Sequence, residues 1–365
     1  MTKIEKIKIL FIVSTLRKCG PIIVLENIIK NINLDKYDIT IVSLSKEPEN
    51  TLKNNFLDMG CNLYNLNLNK INWIFTGRNK IKEIISKEKI DIIHSHGERA
   101  DILNLLLKNK KMINLSTLHN FPEEEYKMRC GVFLGKIIEK IYILLMRKIE
   151  FISCGNSLAD KIKKYYNIQL ESIPNGIDTT IFYPKNLKNS TEKYIVSGSI
   201  IERKNIGLIV EAFKTLKAEV VFIGEGDLLE KYKNETKEFK NITFLGNVKD
   251  VSDFLRSSKY YITASRSEGL PNSVLEALSS GLPVIASNIE QHKEILENTK
   301  NILFDFNDVE DLKRAINEIQ EQDYKEILDE NINLINKKYS AIVMSKNYEK
   351  IYLERFEEKI KEKKR

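Results

Sequence analysis

The sequence contains 365 residues, of which 42% are hydrophobic, and its formal net charge is +7. This length is too great for one typical hydrophobic core and suits two domains. No apolar run reaches the roughly 18 residues of a membrane span, and no small-residue cleavage site follows the N-terminal apolar segment, so we expect a cytoplasmic protein.

Positive charge is concentrated in the first half of the chain. Residues 1–175 carry 28 Lys and Arg against 19 Asp and Glu, whereas residues 176–365 carry 30 against 32. A basic first half suits anionic lipid headgroups or a pyrophosphate-linked molecule, but solvated lysines on helix faces explain the same count. Both interpretations stay open. Nucleic acid is disfavoured as a partner because no recognition motif accompanies the charge.

The cysteines are scattered, without a Cys-x-x-Cys pair, at Cys19, Cys61, Cys130 and Cys154. This spacing predicts reduced thiols and neither a disulfide framework nor a metal site.

In the first half, short apolar runs alternate with helical stretches. The predicted strands are at 7–13, 39–44, 63–68, 90–94, 114–118 and 151–154, and the predicted helices are at 21–31, 50–59, 79–87 and 99–107. Strands that are apolar throughout and alternate with helices are typical of a parallel sheet covered on both faces.

The second half has the same alternation of apolar runs and helical stretches, after a polar linker at 185–193. Its predicted strands are at 194–197, 219–223, 242–245, 260–263 and 284–286, and its predicted helices are at 205–216, 228–236, 251–256 and 308–320. We therefore predict an α/β fold of two Rossmann-like, doubly wound parallel-sheet domains, 1–184 and 185–340, facing a central cleft. A last helix, 341–356, is expected to pack back toward the first domain and to lead into a charged tail, 357–365.

Histidines end two predicted strands of the first domain. His119 directly follows the strand 114–118, so its ring is expected to point into the cleft, where parallel sheets bind ligands. His94 and His96 end the preceding strand, but no third residue with metal-ligand spacing accompanies them. We expect structural or substrate-side roles for this pair, and we place His292 on a helix surface.

Arg203 and Lys204 stand at the entrance of a predicted helix, shortly after Gly198 and Ser199. Cations at this position repel the positive end of the helix unless an anion lies between them. A diphosphate is such an anion, because Arg can clamp it with two hydrogen bonds and Lys can supply a point charge.

The segment 267–288, SEGLPNSVLEALSSGLPVIASN, contains two glutamates, Glu268 and Glu276, eight residues apart. We predict a strand ending near 265, a glycine turn, a short helix with Asn272 or Ser273 as its N-cap, and a second strand after Gly281, a left-handed C-terminal glycine. The N–H groups at such a helix start favour a phosphate, and a carboxylate one turn further suits a ribose diol.

This segment resembles the E-x7-E signature of the family 4 retaining glycosyltransferases, which have the GT-B fold. The spacing of the glutamates, the glycine turn and the following Gly-x-Pro-Val strand all agree. Turns in the family's order also occur elsewhere, at Asn175-Gly176-Ile177-Asp178, Gly224-Glu225-Gly226 and Gly246-Asn247-Val248. The resemblance covers nearly the whole chain and is strongest from 194 to 296.

The resemblance implies roles for individual residues. Three are predicted to be catalytic: His119 would position the reacting sugar, Lys204 would stabilise the departing diphosphate, and Glu268 would bind hydroxyls of the donor sugar. The other predicted donor-binding residues are Gly20, Arg203, Gly246, Gly269, Leu270, Pro271, Asn272, Ser273 and Glu276.

The chain departs from the family pattern at two places. Ser199 stands where many members have Arg, and Arg203 is the candidate to supply the missing charge. Gly20 stands alone where the family has two or more glycines.

These expectations define a retaining hexosyltransferase that takes a nucleotide-diphosphate sugar, preferably a UDP-sugar, and a glycan or lipid-linked acceptor in bacterial cell-surface polysaccharide biosynthesis. The chain has no Asp-x-Asp, so cations and helix N-termini are expected to replace a metal, and no cofactor or protein general base is predicted. Two alternatives stay open. A GT-B sugar-nucleotide epimerase would need no acceptor, and a non-catalytic sugar-nucleotide-binding subunit would never turn over.

The apolar segment 131–149 contains four cations, Lys136, Lys140, Arg147 and Lys148. It suits a helix on the inner face of the plasma membrane, near a lipid-linked acceptor, or a core helix with solvated lysines. The second interpretation is slightly preferred from the sequence.

Overall fold

The computed structural model describes residues 6–69, 72–109, 111–184 and 193–364, with side chains as far as 362. The chain forms two compact units. The first runs to Asn175 and resumes at Ala341, and the second is Gly176–Ser340. Of the predicted linker 185–193, residues 185–192 lie outside the described residues, and Lys193 begins a strand.

The first unit contains a parallel sheet of seven strands in the order β3-β2-β1-β4-β5-β6-β7. The strands are β1 Ile7–Val13, β2 Tyr37–Ser43, β3 Asn62–Asn65, β4 Ile92–His96, β5 Ile113–Leu118, β6 Glu150–Ser153 and β7 Glu171–Ser172. The helices are α1 Gly20–Asn31, α2 Lys53–Asp58, α3 Trp73–Glu88, α4 Glu98–Leu107, α5 Pro122–Cys130, α6 Val132–Met146, α7 Asn156–Tyr166 and α15 Ala341–Lys364.

Alternate residues of β1 enter two hydrophobic cores, one on each face of this sheet. Ile9 and Phe11 belong to the core that also holds residues of α1 and α15. Leu10 and Ile12 belong to the core built with α3 and α4. Because side chains alternate along a strand, a strand segment buried on both faces must be apolar throughout, as β1 is from Ile9 to Val13.

The second unit contains a parallel sheet of six strands in the order β10-β9-β8-β11-β12-β13. The strands are β8 Lys193–Ser197, β9 Glu219–Ile223, β10 Ile242–Gly246, β11 Tyr260–Thr263, β12 Val284–Ser287 and β13 Ile302–Phe304. The helices are α8 Ile206–Thr215, α9 Leu229–Glu235, α10 Val251–Ser257, α11 Asn272–Ser279, α12 Glu290–Leu296, α13 Val309–Glu321 and α14 Tyr324–Leu334, the last followed by a π-helical segment, Ile335–Tyr339.

Residues 176–184 are part of the second unit, although they were predicted to belong to the first domain. The Ile177 N–H donates to the carbonyl of Tyr339 at 2.8 Å, and the Ser279 hydroxyl donates to the carbonyl of Phe182 at 2.6 Å. The first contact attaches the segment to the C-terminal end of the second unit, and the second attaches it to the end of α11.

Helix α15 packs in the first unit. Met344, Tyr348, Ile351 and Tyr352 are buried in the core that contains α1. The helix continues to Lys364, so the predicted charged tail is helical over its described length rather than an extension beyond the helix.

Gly281 ends α11 in the predicted left-handed conformation, with φ +78°. The Leu282 N–H donates to the carbonyl of Ala277 and the Gly281 N–H to that of Leu278, which is the Schellman arrangement. Gly60 ends α2 with φ +80° and the same pair of hydrogen bonds. The two glycines differ in their surroundings: a Cβ on Gly281 would lie 3.0 Å from Leu328 Cγ, whereas one on Gly60 would meet no atom within 4 Å.

We expect Gly281→Ala to destabilise the protein more than the matched control Gly60→Ala. Both variants incur the left-handed penalty of about 1 kcal/mol, and Gly281→Ala adds about 1–2 kcal/mol of crowding against Leu328. Chemical denaturation of the two variants measures the difference. Equal losses of unfolding free energy would contradict the crowding.

Candidate active site

A buried carboxylate in the second unit is held by two cations. Glu268, which is 7% exposed, lies in the loop between β11 and α11. Lys204 Nζ lies 2.6 Å from its Oε1 and Arg203 Nη1 lies 2.6 Å from its Oε2, and Arg203 also donates to the carbonyl of Ser267. Both cations come from a 3-10 turn, Glu202–Lys204, between β8 and α8. We call Arg203, Lys204 and Glu268 the Glu268 cluster.

The Glu268 cluster carries one more positive than negative charge. Burial raises the pKa of Glu268, but the charges of Lys204 and Arg203 outweigh it and lower that pKa to about 2. Glu268 is therefore ionised at neutral pH. Its carboxylate supplies part of the anionic charge that was predicted to lie beside Arg203 and Lys204. The excess positive charge suits a further anion, such as a phosphate group.

The cluster lies where the strand order of the second sheet reverses. β8 and β11 are neighbours at this position, and open parallel sheets bind their ligands outside the carboxyl ends of such strands. A small pocket there is lined by Gly198, Ser199, Lys204 and Thr263, among others. Ser199 thus shares a pocket with Lys204 but contributes no charge.

Three glycine-containing loops lie side by side next to this pocket. The Gly198 N–H donates to the carbonyl of Ile223, and the Gly224 N–H donates to the carbonyl of Gly246 at 2.8 Å. A Cβ on Gly224 would lie 1.9 Å from the carbonyl oxygen of Gly198, so the two backbones approach more closely than any other residue permits. The predicted donor-binding Gly246, with φ +70°, belongs to this array.

Helix α11 begins at Asn272, and its N-cap residue is Pro271. The prediction that Asn272 or Ser273 caps the helix was therefore wrong. Proline has no side-chain acceptor, so the first turn of α11 has no side-chain cap and its N–H groups are oriented for an anion. Glu276 follows in the next turn and is half-buried. Gly269, Leu270 and Pro271 are buried within the preceding loop.

Tyr261 joins the strand ends to α11. Its hydroxyl donates to the carbonyl of Ser197 at 3.2 Å, and the side chain of Ser273 also bonds with it. Burial raises the pKa of Tyr261 to about 12, and the carboxylates of Glu276 and Glu268 act in the same direction. Tyr261 therefore stays protonated beside both glutamates of the E-x7-E pair. Tyr261 was not predicted as a site residue.

His292 is fully buried, so its predicted place on a helix surface was wrong. Its Nδ1 lies 2.8 Å from the carbonyl oxygen of Ser287, and the Ser287 hydroxyl donates to the carbonyl of Ser265 at 2.5 Å. The hydroxyl of Ser265 in turn bonds with Glu268. Burial lowers the pKa of His292 to about 4. His292 thus supports the loop that holds Glu268.

The first unit has its own pocket, of about 240 Å³, at the corresponding reversal of strand order between β1 and β4. His119 and His96 line it from the ends of β5 and β4, and Tyr126 and Tyr142 line it from α5 and α6. The other residues lining it are Ser14, Thr15, Arg17, Cys19, Pro21, Ile22, Gly97, Glu98, Thr117, Leu118, Asn120, Pro122 and Glu125. Hydroxyl, imidazole and carboxylate groups beside apolar rings suit a sugar, which has polar edges and apolar faces. Gly20 opens α1 between two of these residues.

A chain of hydrogen bonds places His119. Its Nε2 lies 2.9 Å from Nδ1 of His96, whose ring stacks on that of His94 with the centroids 4.6 Å apart. His94 bonds with the hydroxyl of Tyr352 on α15 at 2.7 Å and with that of Thr117 at 2.8 Å. The C-terminal helix thus supports the histidines of this pocket. Among the described residues, no group of three or more His, Cys, Asp or Glu could hold a metal ion.

All four histidines are held neutral. Burial lowers the pKa of His94 to about 3 and that of His119 to about 4, and it lowers the pKa of His96 well below the ordinary value. Asp101, buried beneath the pocket and bonded by Tyr142, shows the opposite effect: burial raises its pKa to about 6.

We expect the protein to lose stability as the pH falls below about 6.5. The unfolded chain binds histidine protons there, while the folded chain does not bind them until about pH 4 or lower. Asp101 has the opposite effect on stability, because it takes up a proton near pH 6 in the folded protein. Four histidines outweigh this single carboxyl group. Thermal melts followed by circular dichroism between about pH 7.5 and about pH 5 test this balance. An unchanged melting temperature would contradict it, and His119→Asn should flatten the slope.

The predicted site residues therefore fall into two groups. The structure places Arg203, Lys204, Glu268 and the start of α11 around one strand reversal in the second unit, and His119 in the pocket of the first. Two parallel-sheet, Rossmann-like units of this kind define the GT-B fold.

Comparison with known proteins agrees with this architecture. The family model for Glycosyltransferase Family 4 matches residues 23–181 of this chain. The family model for Glycosyl transferases group 1 matches residues 178–339. The chain is a glycosyltransferase with the GT-B fold. None of its described helices is long and apolar enough to cross a membrane.

Two relatives and one solved structure illustrate the similarity. The chain is 25% identical over 299 residues to the Escherichia coli UDP-Gal:alpha-D-GlcNAc-diphosphoundecaprenol alpha-1,3-galactosyltransferase, a match that covers 74% of this chain and 76% of that protein. It is 26% identical over 266 residues to the Staphylococcus aureus capsular polysaccharide biosynthesis glycosyltransferase CapH, covering 68% and 72%. Anabaena HepE in complex with UDP and glucose has the same fold, with a TM-score of 0.79, 13% identity and 95% and 99% coverage.

Proposed function

We propose that this chain is a retaining hexosyltransferase that transfers a sugar from a UDP-sugar to a glycan or lipid-linked acceptor in bacterial cell-surface polysaccharide biosynthesis. The observation that carries the proposal is the Glu268 cluster at the strand reversal of the second unit. The names of the relatives are consistent with it: one uses UDP-galactose and a diphosphoundecaprenol acceptor, and another belongs to capsule biosynthesis.

The second unit is the proposed donor site. Lys204 and Arg203 would stabilise the negative charge that develops on the departing diphosphate, together with the N–H groups at the start of α11. Glu276, one turn into α11, would accept hydrogen bonds from the ribose diol. A carboxylate has about four lone-pair positions, so Glu268 can keep both cations and still accept from hydroxyls of the donor sugar.

The pocket of the first unit is the proposed acceptor site, with His119 contacting the reacting sugar. A histidine with a pKa of about 4 is neutral at pH 7, so it donates or accepts a hydrogen bond without acting as a strong acid. We assign no protein general base. The departing diphosphate oxygen would take the proton of the acceptor hydroxyl on the face that the leaving group occupies, which retains the anomeric configuration.

The donor proposal is tested by thermal stabilisation with a panel of nucleotides and sugar nucleotides. A ligand that binds the native state raises the melting temperature by mass action. We expect UDP and one UDP-sugar to raise it. A rise with GDP or ADP instead would replace the nucleotide and keep the class of reaction, and no rise with any of them would overturn the proposed donor site.

We expect activity without a divalent metal, because the two cations of the Glu268 cluster and the start of α11 supply the counter-charge of the diphosphate. Turnover should be unchanged in EDTA. Loss of turnover in the chelator, restored by manganese, would show that a metal is required.

A further inference from the structure

Helix α6 exposes an apolar face to solvent. Phe133 is 83% exposed and Leu144 64% exposed, and Leu134, Ile137 and Ile141 are also exposed. Positions 133, 137, 141 and 144 are spaced by four, four and three residues, so they form one stripe along the helix. Gly135, Tyr142, Leu145 and Met146 are buried on the opposite side. The preferred interpretation of a core helix with solvated lysines is therefore wrong: the most apolar stripe faces outward.

Cations border this stripe. Lys136, Lys140 and Arg147 are exposed and lie along one edge of it, at helical spacing, and Lys148 lies near its end. The one acidic residue in α6, Glu139, is half-buried and accepts a hydrogen bond from the Tyr166 hydroxyl at 2.8 Å. We call the apolar stripe and its cations the α6 face. A contiguous apolar surface of this kind on a water-soluble domain marks an interaction site.

We propose that the α6 face docks on the surface of an anionic lipid bilayer. An apolar stripe edged by Lys and Arg is the pattern of a helix that lies in the membrane interface, with its apolar side chains among the acyl chains and its cations among anionic headgroups. The positive charge of the α6 face favours a lipid bilayer over a second copy of the protein. If two α6 faces were in contact, the cations along their edges would repel one another. The excess of Lys and Arg in the first half of the chain has the same sign.

Docking in this orientation would bring the acceptor pocket to the membrane. Tyr142, on the buried side of α6, lines the pocket of the first unit, and so does Tyr126 of the neighbouring helix α5. The pocket therefore lies behind α6, about one helix diameter of roughly 10 Å from the α6 face. This step rests on the proposed function: a lipid-linked acceptor could enter the pocket with its lipid still in the bilayer.

Vesicle flotation tests the docking without any need for activity. The probes are vesicles of phosphatidylcholine alone and of phosphatidylcholine mixed with phosphatidylglycerol. We expect the protein to float with the anionic vesicles, less so in high salt, and weakly or not at all with neutral ones. The triple variant Phe133→Ser, Ile137→Ser, Ile141→Ser should lose flotation, and each of Lys136→Gln and Lys140→Gln should weaken partitioning by about fivefold.

The control variant carries Phe75→Ser and Lys82→Glu on α3, an exposed apolar residue and a cation outside the α6 face, and it should float as the original protein does. Unchanged flotation of the triple variant would overturn the assignment of the surface, and no flotation of the original protein with anionic vesicles would overturn the proposal. Sedimentation of a dimer that the triple variant abolishes would instead assign the face to self-association. UDP-induced thermal stabilisation of the triple variant, measured in parallel, separates this question from the proposed donor site.

Discussion

Replacing Lys204 with alanine is expected to lower turnover by about a thousandfold, the upper range for loss of one preorganised group that stabilises transition-state charge. Lys204 Nζ lies 2.6 Å from Glu268 and belongs to the same pocket as Gly198 and Ser199. The negative charge of the diphosphate grows as its bond to the sugar breaks, so the loss should appear more in kcat than in KM. Initial rates against UDP-sugar concentration measure both constants.

The matched control is Lys214→Ala. Lys214 lies further along α8 and is held 2.6 Å from the exposed carboxylate of Glu211, so its removal should leave the rate unchanged. A rate near that of the original enzyme in Lys204→Ala would remove Lys204 from the proposed mechanism.

A loss of folding can imitate a loss of catalysis, because Lys204→Ala leaves buried Glu268 with Arg203 as its remaining cationic partner in the cluster. Removing one partner of a buried ion pair costs about 3–5 kcal/mol when the other charge is left uncompensated. In Lys204→Ala, however, Arg203 still balances the charge of Glu268, so the loss of unfolding free energy should stay below this range. Chemical denaturation measures it: a loss of about 3–5 kcal/mol would mean that Lys204 is structural.

The buried strands could be predicted from the sequence. The predicted and observed bounds agree at Ile7–Val13, Glu219–Ile223 and Tyr260–Thr263. A central parallel strand is buried on both faces, so most of its residues are apolar and many are branched. Such a short apolar run can be recognised from the sequence alone. The edge strands β7 and β13 have two and three residues, so they leave no such run, and both were missed.

The local structure around the candidate site could be predicted where its residues are close in the chain. Glu268, the glycine turn, α11 and Gly281 lie in one continuous segment, so their spacing alone indicates a structure. Supporting contacts that join distant segments were not predicted. His292 was predicted at a helix surface, and its neighbours in the sequence, Glu290, Gln291 and Lys293, include two charged residues. Its ring is nevertheless buried against Ser287, whose hydroxyl donates to the carbonyl of Ser265, 22 positions away.

The link between the C-terminal helix and the histidines shows the same limit. Tyr352 and His94 are 258 positions apart and bond directly, and Tyr348 bonds with Thr117 over a separation of 231. In the sequence, Tyr348 and Tyr352 are typical of aromatic core residues, and His94 and Thr117 are typical of strand residues. These contacts exist because α15 packs in the first unit. The periodicity of apolar residues within α15 does not reveal where the helix packs.

Replacing Glu276 with alanine is expected to lower kcat/KM by a factor of about two hundred to twenty thousand, because two charge-assisted hydrogen bonds are lost. Glu276 is the half-buried carboxylate in the first turns of α11, next to the helix start that is proposed to hold the diphosphate. Two hydrogen bonds from a ribose diol to one carboxylate are charge-assisted, at about 1.5–3 kcal/mol each, and the nucleotide binds more weakly without them. The loss should appear mainly as a higher KM for the donor and a smaller thermal rise with UDP.

Donors that lack the 2′- or 3′-hydroxyl of the ribose identify the contact. In the original enzyme each deletion should lower kcat/KM, and in Glu276→Ala the same deletions should have little further effect, since the carboxylate that they contact is gone. Glu211→Ala, which removes an exposed carboxylate from α8, is the control and should respond to the deoxy donors as the original enzyme does. If the deoxy donors lose as much in Glu276→Ala as in the original enzyme, Glu276 does not bind the ribose, and the position of the nucleotide along α11 must be reassigned.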